Sequence, residues 1–196
     1  MTNSPPQPSG VFAAALTPLT AGLAPDIPRL AAHCRWLLEN GCDGLAVLGT
    51  TGEANSFSVD ERLGILDGLA EAGIPGPALM PGTGCCAVAD TVRLSRRAVE
   101  LGAAGVLVLP PFYYKNVSDD GLFAAFSEVI EGVGDARLKV YLYHFPQMSA
   151  APLSYALIER LLERYPDTVA GMKDSSGDVD NMCGAAGAFP GFSVFS

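Results

Sequence analysis

Basic residues are scarce in this 196-residue sequence. Twelve lysines and arginines stand against 21 aspartates and glutamates, which gives a formal net charge of −9. A surface dominated by carboxylates repels polyanions, so this deficit argues against nucleic acid and anionic membranes as partners. Only three residues are lysines, namely Lys115, Lys139 and Lys173. The position of each lysine is therefore informative.

Long apolar runs are also missing. No segment stays hydrophobic over the roughly 20 residues that a membrane-spanning helix needs, and the first residues lack a cationic start with an apolar core. We therefore expect a cytoplasmic protein with no membrane partner. The opening letters MTNSPPQPSG are rich in proline and serine. They predict a flexible leader over residues 1–10, outside a single domain that covers residues 11–196.

The cysteines lack the spacing of a metal site. Their number is odd, the sequence has no secretion signal, and two adjacent cysteines are poorly placed to pair with each other. We expect reduced thiols and no metal site. The five are Cys34, Cys42, Cys85, Cys86 and Cys183.

A repeated pattern is what the sequence does contain. Short apolar runs recur about every thirty residues, and an amphipathic stretch follows each of them. Continuous apolar runs are typical of parallel strands that are buried on both faces. The pattern predicts an α/β protein, either a doubly wound sheet or a (β/α)8 barrel. The runs start at Val11, Gly44, Ala78, Gly105, Leu138, Thr168 and Phe192.

Polar residues collect where these runs end, and this favours the barrel. All strand ends of a barrel meet at one mouth, whereas in an open sheet only those near the switch point meet. We therefore predict a (β/α)8 TIM barrel. Eight units take about 250 residues, so a pattern that stops in the seventh strand predicts an incomplete barrel, with its C-terminal part missing. The polar residues are Thr17, Thr50, Thr51, Thr83, Tyr113, Tyr114, Tyr143 and Lys173.

Lys173 ends the apolar run in the stretch VAGMKDSSGD. Burial disfavours the charged form of an amine, and a neutral amine is the nucleophile that Schiff-base chemistry requires. Pairing with a carboxylate such as Asp174 or Asp178 is an equally good explanation of the position alone. Tyr143 ends the preceding run, where its phenol is either a packed aromatic or a group that moves protons beside the lysine.

The segment GTTGE, from Gly49 to Glu53, follows the second run directly. Its glycines free the backbone to bend, and its N–H groups and two hydroxyls suit a carboxylate. As a lone motif it is weak, because most such segments are only turns. His144 should point away from Tyr143 by strand alternation, and Tyr141 should face the same side but lie deeper, in a packing role.

Four motifs together resemble those of the dihydrodipicolinate synthase and N-acetylneuraminate lyase family. They are GTTGE, PPFYYK (residues 110–115), YHFP (residues 143–146) and GMKDSSGD (residues 171–178), in the order and approximate spacing of that family. The resemblance implies a (β/α)8 barrel, assembled as a dimer of dimers, that binds pyruvate or another 2-keto acid as an imine. It implies no cofactor.

The resemblance also implies a role for each site residue. Lys173 corresponds to the Schiff-base lysine and Tyr143 to the proton donor and acceptor. Thr50 corresponds to a member of the proton relay, and Thr51, with Gly49 beside it, to the binding site of the keto-acid carboxylate. Tyr114 corresponds to the aromatic that completes the relay, often across a subunit interface, with Tyr113 as the alternative.

One position departs from the family pattern. Dihydrodipicolinate synthases have an arginine five residues after the catalytic tyrosine, and this sequence has Met148 there. A thioether cannot make the bidentate carboxylate contact of a guanidinium. We therefore expect a related lyase or aldolase, with dihydrodipicolinate synthase itself, or a non-catalytic keto-acid binder, as alternatives. A phosphate-binding barrel enzyme is less favoured than these alternatives, because the four motifs together match the family named above.

Overall fold

The structure is a computed structural model that describes residues 8–196, so the predicted leader over residues 1–10 lies mostly outside the described residues. The strands are parallel and short, and a helix follows most of them. Hydrogen bonds join β1 to β2 in one sheet. In the second sheet they join β3 to β4, β4 to β5 and β5 to β6. The strands are β1 (Phe12–Ala13), β2 (Gly44–Leu45), β3 (Val106–Val108), β4 (Val140–His144), β5 (Val169–Asp174) and β6 (Ser193–Phe195).

The third predicted strand, residues 78–84, differs from expectation because it forms isolated parallel bridges and no continuous strand. Pro81 has no N–H to donate to a ladder, which interrupts the pairing. The segment still lies between β2 and β3: Met80 N–H donates to Leu45 at 2.9 Å, and Leu107 N–H donates to the Pro81 carbonyl at 2.9 Å. The two sheets are therefore one array of seven parallel positions, as the repeated pattern predicts.

The helix boundaries follow the sequence signals. Ser58 and Glu61 form a capping box at the start of the second helix, and a glycine with positive φ follows each of the first four helices. The last helix has little charge and several small residues, and it begins at the Asp178 cap. The helices are α1 (Ile27–Glu39), α2 (Val59–Glu71), α3 (Val88–Glu100), α4 (Asp119–Val133), α5 (Pro146–Ser149), α6 (Tyr155–Arg164) and α7 (Val179–Ala188).

Alternate residues of the strands face two different cores. Those on the outer side, such as Val108 and Leu142, pack against the surrounding helices in two large clusters. Those on the inner side form a smaller cluster that fills the barrel. Each large apolar side chain buried in this way stabilises the fold by about 1.5–3 kcal/mol. The inner cluster comprises Ala46, Met80, Leu107, Tyr141 and Ala170, with Phe12 and Phe195 packed against it.

Tyr141 occupies the middle of the barrel. Its side chain is fully buried, which confirms the predicted packing role, and its ring meets that of Phe195 at a centroid distance of 5.7 Å. Glycines on the two neighbouring strands make room for it. A Cβ at Gly105 would lie 2.6 Å from the ring, and one at Gly171 would lie 2.9 Å from it. Tyr141 and Phe195 therefore form an aromatic layer in the interior of the array.

Candidate active site

Lys173 and Tyr143 are directly opposite each other on β5 and β4, at the carboxyl ends of these strands. The lysine Nζ donates a hydrogen bond to the tyrosine hydroxyl at 3.4 Å. It also lies 4.6 Å from the centroid of the tyrosine ring. Both residues end strands, and the sequence therefore predicted that they would be neighbours. The structure shows them in contact at the mouth of the barrel.

Thr50 extends this pair. A hydrogen bond of 3.2 Å joins its hydroxyl to that of Tyr143, across 93 positions of sequence. Burial raises the pKa of the tyrosine, but the hydrogen bonds of Thr50 and Ser175 and the charge of Lys173 outweigh it. The pKa of Tyr143 consequently lies below its ordinary value, so this phenol gives up its proton more readily than a free tyrosine does.

The carboxylates that follow Lys173 are engaged elsewhere. Asp174 accepts hydrogen bonds from the Ser176 N–H at 2.7 Å and from Asn181 at 2.6 Å. The Asp178 side chain accepts from the Asn181 N–H and caps α7. None of the ion pairs within residues 8–196 includes Lys173. The contact with Tyr143, and not an ion pair with Asp174 or Asp178, therefore accounts for the position of Lys173.

The segment GTTGE forms a tight turn whose two ends are closed by backbone hydrogen bonds, from Glu53 N to Thr50 O and from Ala54 N to Gly49 O. Across residues 8–196, the N–H groups of Thr51 and Gly52 have no hydrogen-bond acceptor. A small cavity next to the turn is lined by Gly49, Thr50 and Tyr143, among others. Gly49 and Thr50 of the turn therefore share one small cavity with the phenol of Tyr143.

Tyr113 and Tyr114 are not brought to this group. Their side chains are 72% and 78% exposed, and the two rings contact each other edge to face at 5.2 Å. No hydrogen bond within the described part of the chain joins either hydroxyl to Thr50. The predicted place of Tyr114 in the relay therefore stays a prediction, and so does the choice between the two.

Two other predictions concern the residues after the tyrosine. His144 points away from Tyr143, as strand alternation predicts, and its Nδ1 accepts a hydrogen bond from the Leu153 N–H at 3.1 Å. Burial lowers the pKa of this imidazole, although Asp174 and Asp178 oppose the effect. Met148 lies on α5 with 58% of its surface exposed.

Sequence reasoning missed Ser175 as a contributor to the site, and it placed Thr17 among the polar strand-end residues without giving it a role. Ser175 helps to lower the pKa of Tyr143, and the Thr17 hydroxyl donates to the Gly52 carbonyl at 2.7 Å. Both lie just beyond strand ends, which was the available signal. No group of three or more histidines, cysteines, aspartates or glutamates in residues 8–196 is arranged to hold a metal ion. No helix in that range is long and apolar enough to cross a membrane.

Comparison with known proteins agrees with this architecture. Residues 7–196 match the Dihydrodipicolinate synthetase family. The chain is 38% identical over 192 residues to an uncharacterized DapA-like lyase of Chloroflexus aurantiacus, covering 97% of this chain and 63% of that protein. It is 33% identical to the 4-hydroxy-tetrahydrodipicolinate synthase of an Azoarcus species, covering 96% and 63%.

Solved structures give the same result. Dihydrodipicolinate synthase from Agrobacterium tumefaciens superposes with a TM-score of 0.90 at 36% identity, over 94% of this chain and 64% of that one. YagE, a prophage protein of the dihydrodipicolinic acid synthase family from Escherichia coli, was solved in complex with pyruvate. It superposes with a TM-score of 0.83 at 31% identity, over 94% and 62%.

The parallel array and its structural relatives confirm the predicted class, an α/β protein with the (β/α)8 TIM-barrel fold. The chain belongs to the dihydrodipicolinate synthetase family. It spans about 63% of the length of the two curated relatives named above.

Proposed function

We propose that the protein is a lyase or aldolase of the class I type, which binds pyruvate or a close 2-keto acid to Lys173 as a Schiff base. The observation that carries the proposal is the continuous contact of Lys173, Tyr143 and Thr50 at the barrel mouth. An amine, a phenol and a hydroxyl in hydrogen-bonded sequence are the groups that imine chemistry needs. The pyruvate complex of the related YagE supports the choice of substrate class.

The chemistry has three stages, namely imine formation, reaction at the adjacent carbon, and hydrolysis of the imine, which releases the product and regenerates the Lys173 amine. The neutral amine of Lys173 attacks the keto carbon, and loss of water from the resulting carbinolamine gives an iminium ion. The iminium withdraws electrons from the adjacent carbon, so a carbon–carbon bond there is made or broken through an enamine. Tyr143 delivers and removes the protons at the carbinolamine oxygen, and Thr50 passes them onward from its hydroxyl.

The turn at residues 49–53 supplies the site for the carboxylate of the keto acid. Free N–H groups at Thr51 and Gly52, together with the Thr51 hydroxyl, are donors that an anion accepts from. Of the two hydroxyl residues that follow Gly49, Thr50 bonds to Tyr143, and we assign Thr51 to the carboxylate of the acid.

Met148 bears on the second substrate. An exposed thioether offers no charge to the carboxylate of a second substrate, which favours an uncharged aldehyde over an aldehyde that bears a carboxylate. The reaction of 4-hydroxy-tetrahydrodipicolinate synthase, the name of several relatives, is therefore the second candidate. Turnover measured with neutral and with carboxylate-bearing aldehydes distinguishes the two candidates.

The remaining features of the proposal concern the assembled protein. Tyr114 is too exposed to act within its own chain, and an exposed aromatic pair is suited to reaching a neighbouring subunit. We therefore retain a homotetramer, a dimer of dimers, in which Tyr114 completes the relay of another subunit. A cytoplasmic location and the lack of a cofactor likewise remain predictions.

Borohydride trapping tests the central claim. The full-length protein is treated with pyruvate and sodium borohydride, digested, and analysed by peptide mass spectrometry. The expected result is a pyruvate-dependent adduct on the peptide with Lys173, while Lys115 and Lys139 serve as internal controls in the same sample. An adduct spread evenly over the three lysines, or none on a folded protein, would overturn the proposal and leave a non-covalent keto-acid binder.

A further inference from the structure

The turn that carries Thr50 and Thr51 has an unusual backbone. Leu48 before it and Glu53 at its end both have positive φ, of 55° and 54°. Residues with a side chain avoid this left-handed region, because the Cβ approaches the following carbonyl oxygen. Strain of this kind persists only when surrounding structure imposes it, and it concentrates at functional sites. Some neighbouring part of the protein must therefore hold the turn in shape.

One neighbour is the segment that follows β1. Gly52 approaches it so closely that a Cβ at this position would lie 2.9 Å from the Ala15 carbonyl oxygen and 3.3 Å from Thr17 Oγ1. Thr17 is 7% exposed, and its hydroxyl donates to the Gly52 carbonyl at 2.7 Å. Among residues 8–196, no other side chain donates a hydrogen bond to a carbonyl of residues 48–53.

The second neighbour lies on the opposite side of the turn. A Cβ at Gly82 would lie 2.2 Å from the Leu48 carbonyl oxygen, so backbone packs directly on backbone there. Gly82 N–H donates to the Val47 carbonyl at 2.8 Å, just before the turn. The start of the turn is thus fixed by the third strand position, and its end is fixed by Thr17.

We propose that Thr17 is a positioning residue, whose hydrogen bond to Gly52 holds the turn so that Thr50 meets Tyr143 and the free N–H groups face a bound carboxylate. Thr17 itself touches no reacting atom. It acts through the Gly52 carbonyl, two residues from Thr50. The part that concerns carboxylate binding rests on the proposed function, whereas the part that concerns Tyr143 rests on contacts described above.

The pKa of Tyr143 should depend on the conformation of the turn. Four side chains act on this phenol: Thr50 bonds to its hydroxyl, Lys173 donates to the hydroxyl and supplies the nearby charge, Ser175 helps to lower its pKa, and Phe145 stacks on the ring with the centroids 5.9 Å apart. Of these, only Thr50 belongs to the turn. A change at Thr17 that releases the turn should therefore remove one hydrogen bond that lowers the pKa of Tyr143, and leave the other three neighbours in place.

The test compares Thr17→Val, which keeps the shape but loses the donor, with Thr17→Ser, which keeps the hydroxyl. Both variants are made in the full-length protein, and tyrosine carbons are followed by NMR against pH, with Tyr143→Phe used to assign the signal. We expect the pKa of Tyr143 to rise in the valine variant and to stay at the wild-type value in the serine variant. Equal values in all three proteins would overturn the proposal.

Pyruvate trapping adds a second readout. Loss of one positioning hydrogen bond should raise the pyruvate concentration for half-maximal trapping about tenfold in Thr17→Val, with serine restoring it. If the wild type forms no adduct, the proposed function fails, and the NMR titration still decides the role of Thr17. If the valine variant does not fold, Thr17→Ala replaces it in both measurements, with the same expected direction.

A merely structural role gives a different outcome. Thr17→Val would then lower the melting temperature without changing either the titration of Tyr143 or the pyruvate dependence. Matched melting temperatures of the serine and valine variants, combined with a shifted titration in the valine variant alone, support positioning.

Discussion

The Nζ of Lys173 lies 3.4 Å from the hydroxyl oxygen of Tyr143, although the two residues are 30 positions apart. Parallel pairing of β4 and β5 produces this contact, because the register sets the two residues directly opposite each other. Both side chains point into the barrel at its mouth, where the amine also lies over the phenol ring. The contact therefore depends on strand register and would be lost by a shift of one residue.

Tyr143→Phe should separate the phenol's chemistry from its packing. The ring remains, but the hydroxyl that links Lys173 and Thr50 is lost, so turnover should fall by about 10²–10⁴-fold, the usual contribution of a proton-transfer group. Tyr141→Phe is the matched control, since the hydroxyl of Tyr141 is buried without a hydrogen-bond partner. Its removal should leave turnover unchanged and stability equal or higher. Steady-state kinetics and thermal unfolding of both variants check this, and similar losses in both would contradict it.

Gly52→Ala should destabilise the protein and distort the turn. The new methyl group would meet the Ala15 carbonyl at 2.9 Å, a contact with backbone that cannot move aside easily. We expect a loss of about 1–3 kcal/mol in the free energy of unfolding. Gly64→Ala in α2 is the control, because nothing lies within 4 Å of its added Cβ, and it should gain up to about 1 kcal/mol. Chemical denaturation of both variants measures the difference, and a neutral result for Gly52→Ala would count against the close contact.

The five cysteines should differ in reactivity with a thiol reagent. Cys86 and Cys183 are exposed, and their thiols should be modified within the first phase of the reaction. Cys34 is fully buried, and burial raises the pKa of its thiol to about 11, so it should react only when the protein unfolds. Peptide mapping after brief labelling, with and without denaturant, identifies each site. Early modification of Cys34 in the folded protein would be inconsistent with the packing of α1.

Cys34 should also make stability depend on alkaline pH. Its pKa rises from 9.0 to about 11 on folding, so the buried neutral thiol contributes fully below pH 9. This contribution is lost as the pH rises toward 11, because the Cys34 thiol ionises at a lower pH in the unfolded chain than in the folded protein. Cys34→Ala leaves a cavity at every pH but lacks this dependence. The difference in melting temperature between the wild type and the variant should therefore narrow above pH 9, and a constant difference would refute the shift.

The sequence predicted those parts of the protein that depend on local pattern. Six of the seven apolar runs form parallel strands in sequence order, as expected. The pairing of Lys173 with Tyr143 also follows, because parallel strands align their carboxyl ends. The run at residues 78–84 forms isolated bridges instead of a continuous strand, since Pro81 interrupts its hydrogen bonds.

Other features of the site arise from contacts between distant backbone segments. The support that Thr17 gives to Gly52 depends on how closely two turns approach, and no local spacing encodes that distance. In the proposed assembly, the positions of Tyr113 and Tyr114 relative to the relay depend on a neighbouring chain. Pattern and resemblance in a single sequence therefore indicate which residue types lie at the site, but they do not indicate the contacts that these residues make.

Tyr141 limits how the barrel interior can change. Its ring occupies the space that a side chain at Gly105 would need, so these two positions can vary only in a certain order. A smaller residue at position 141 must come before alanine at Gly105, because the reverse order forces a clash of 2.6 Å with the ring. Gly171 is restricted independently, since a Cβ there would also lie 2.2 Å from the Ser193 carbonyl oxygen, which a change at Tyr141 does not remove. In any laboratory redesign or mutational path, Tyr141 is therefore the permissive position for Gly105, whereas Gly171 stays fixed by the backbone.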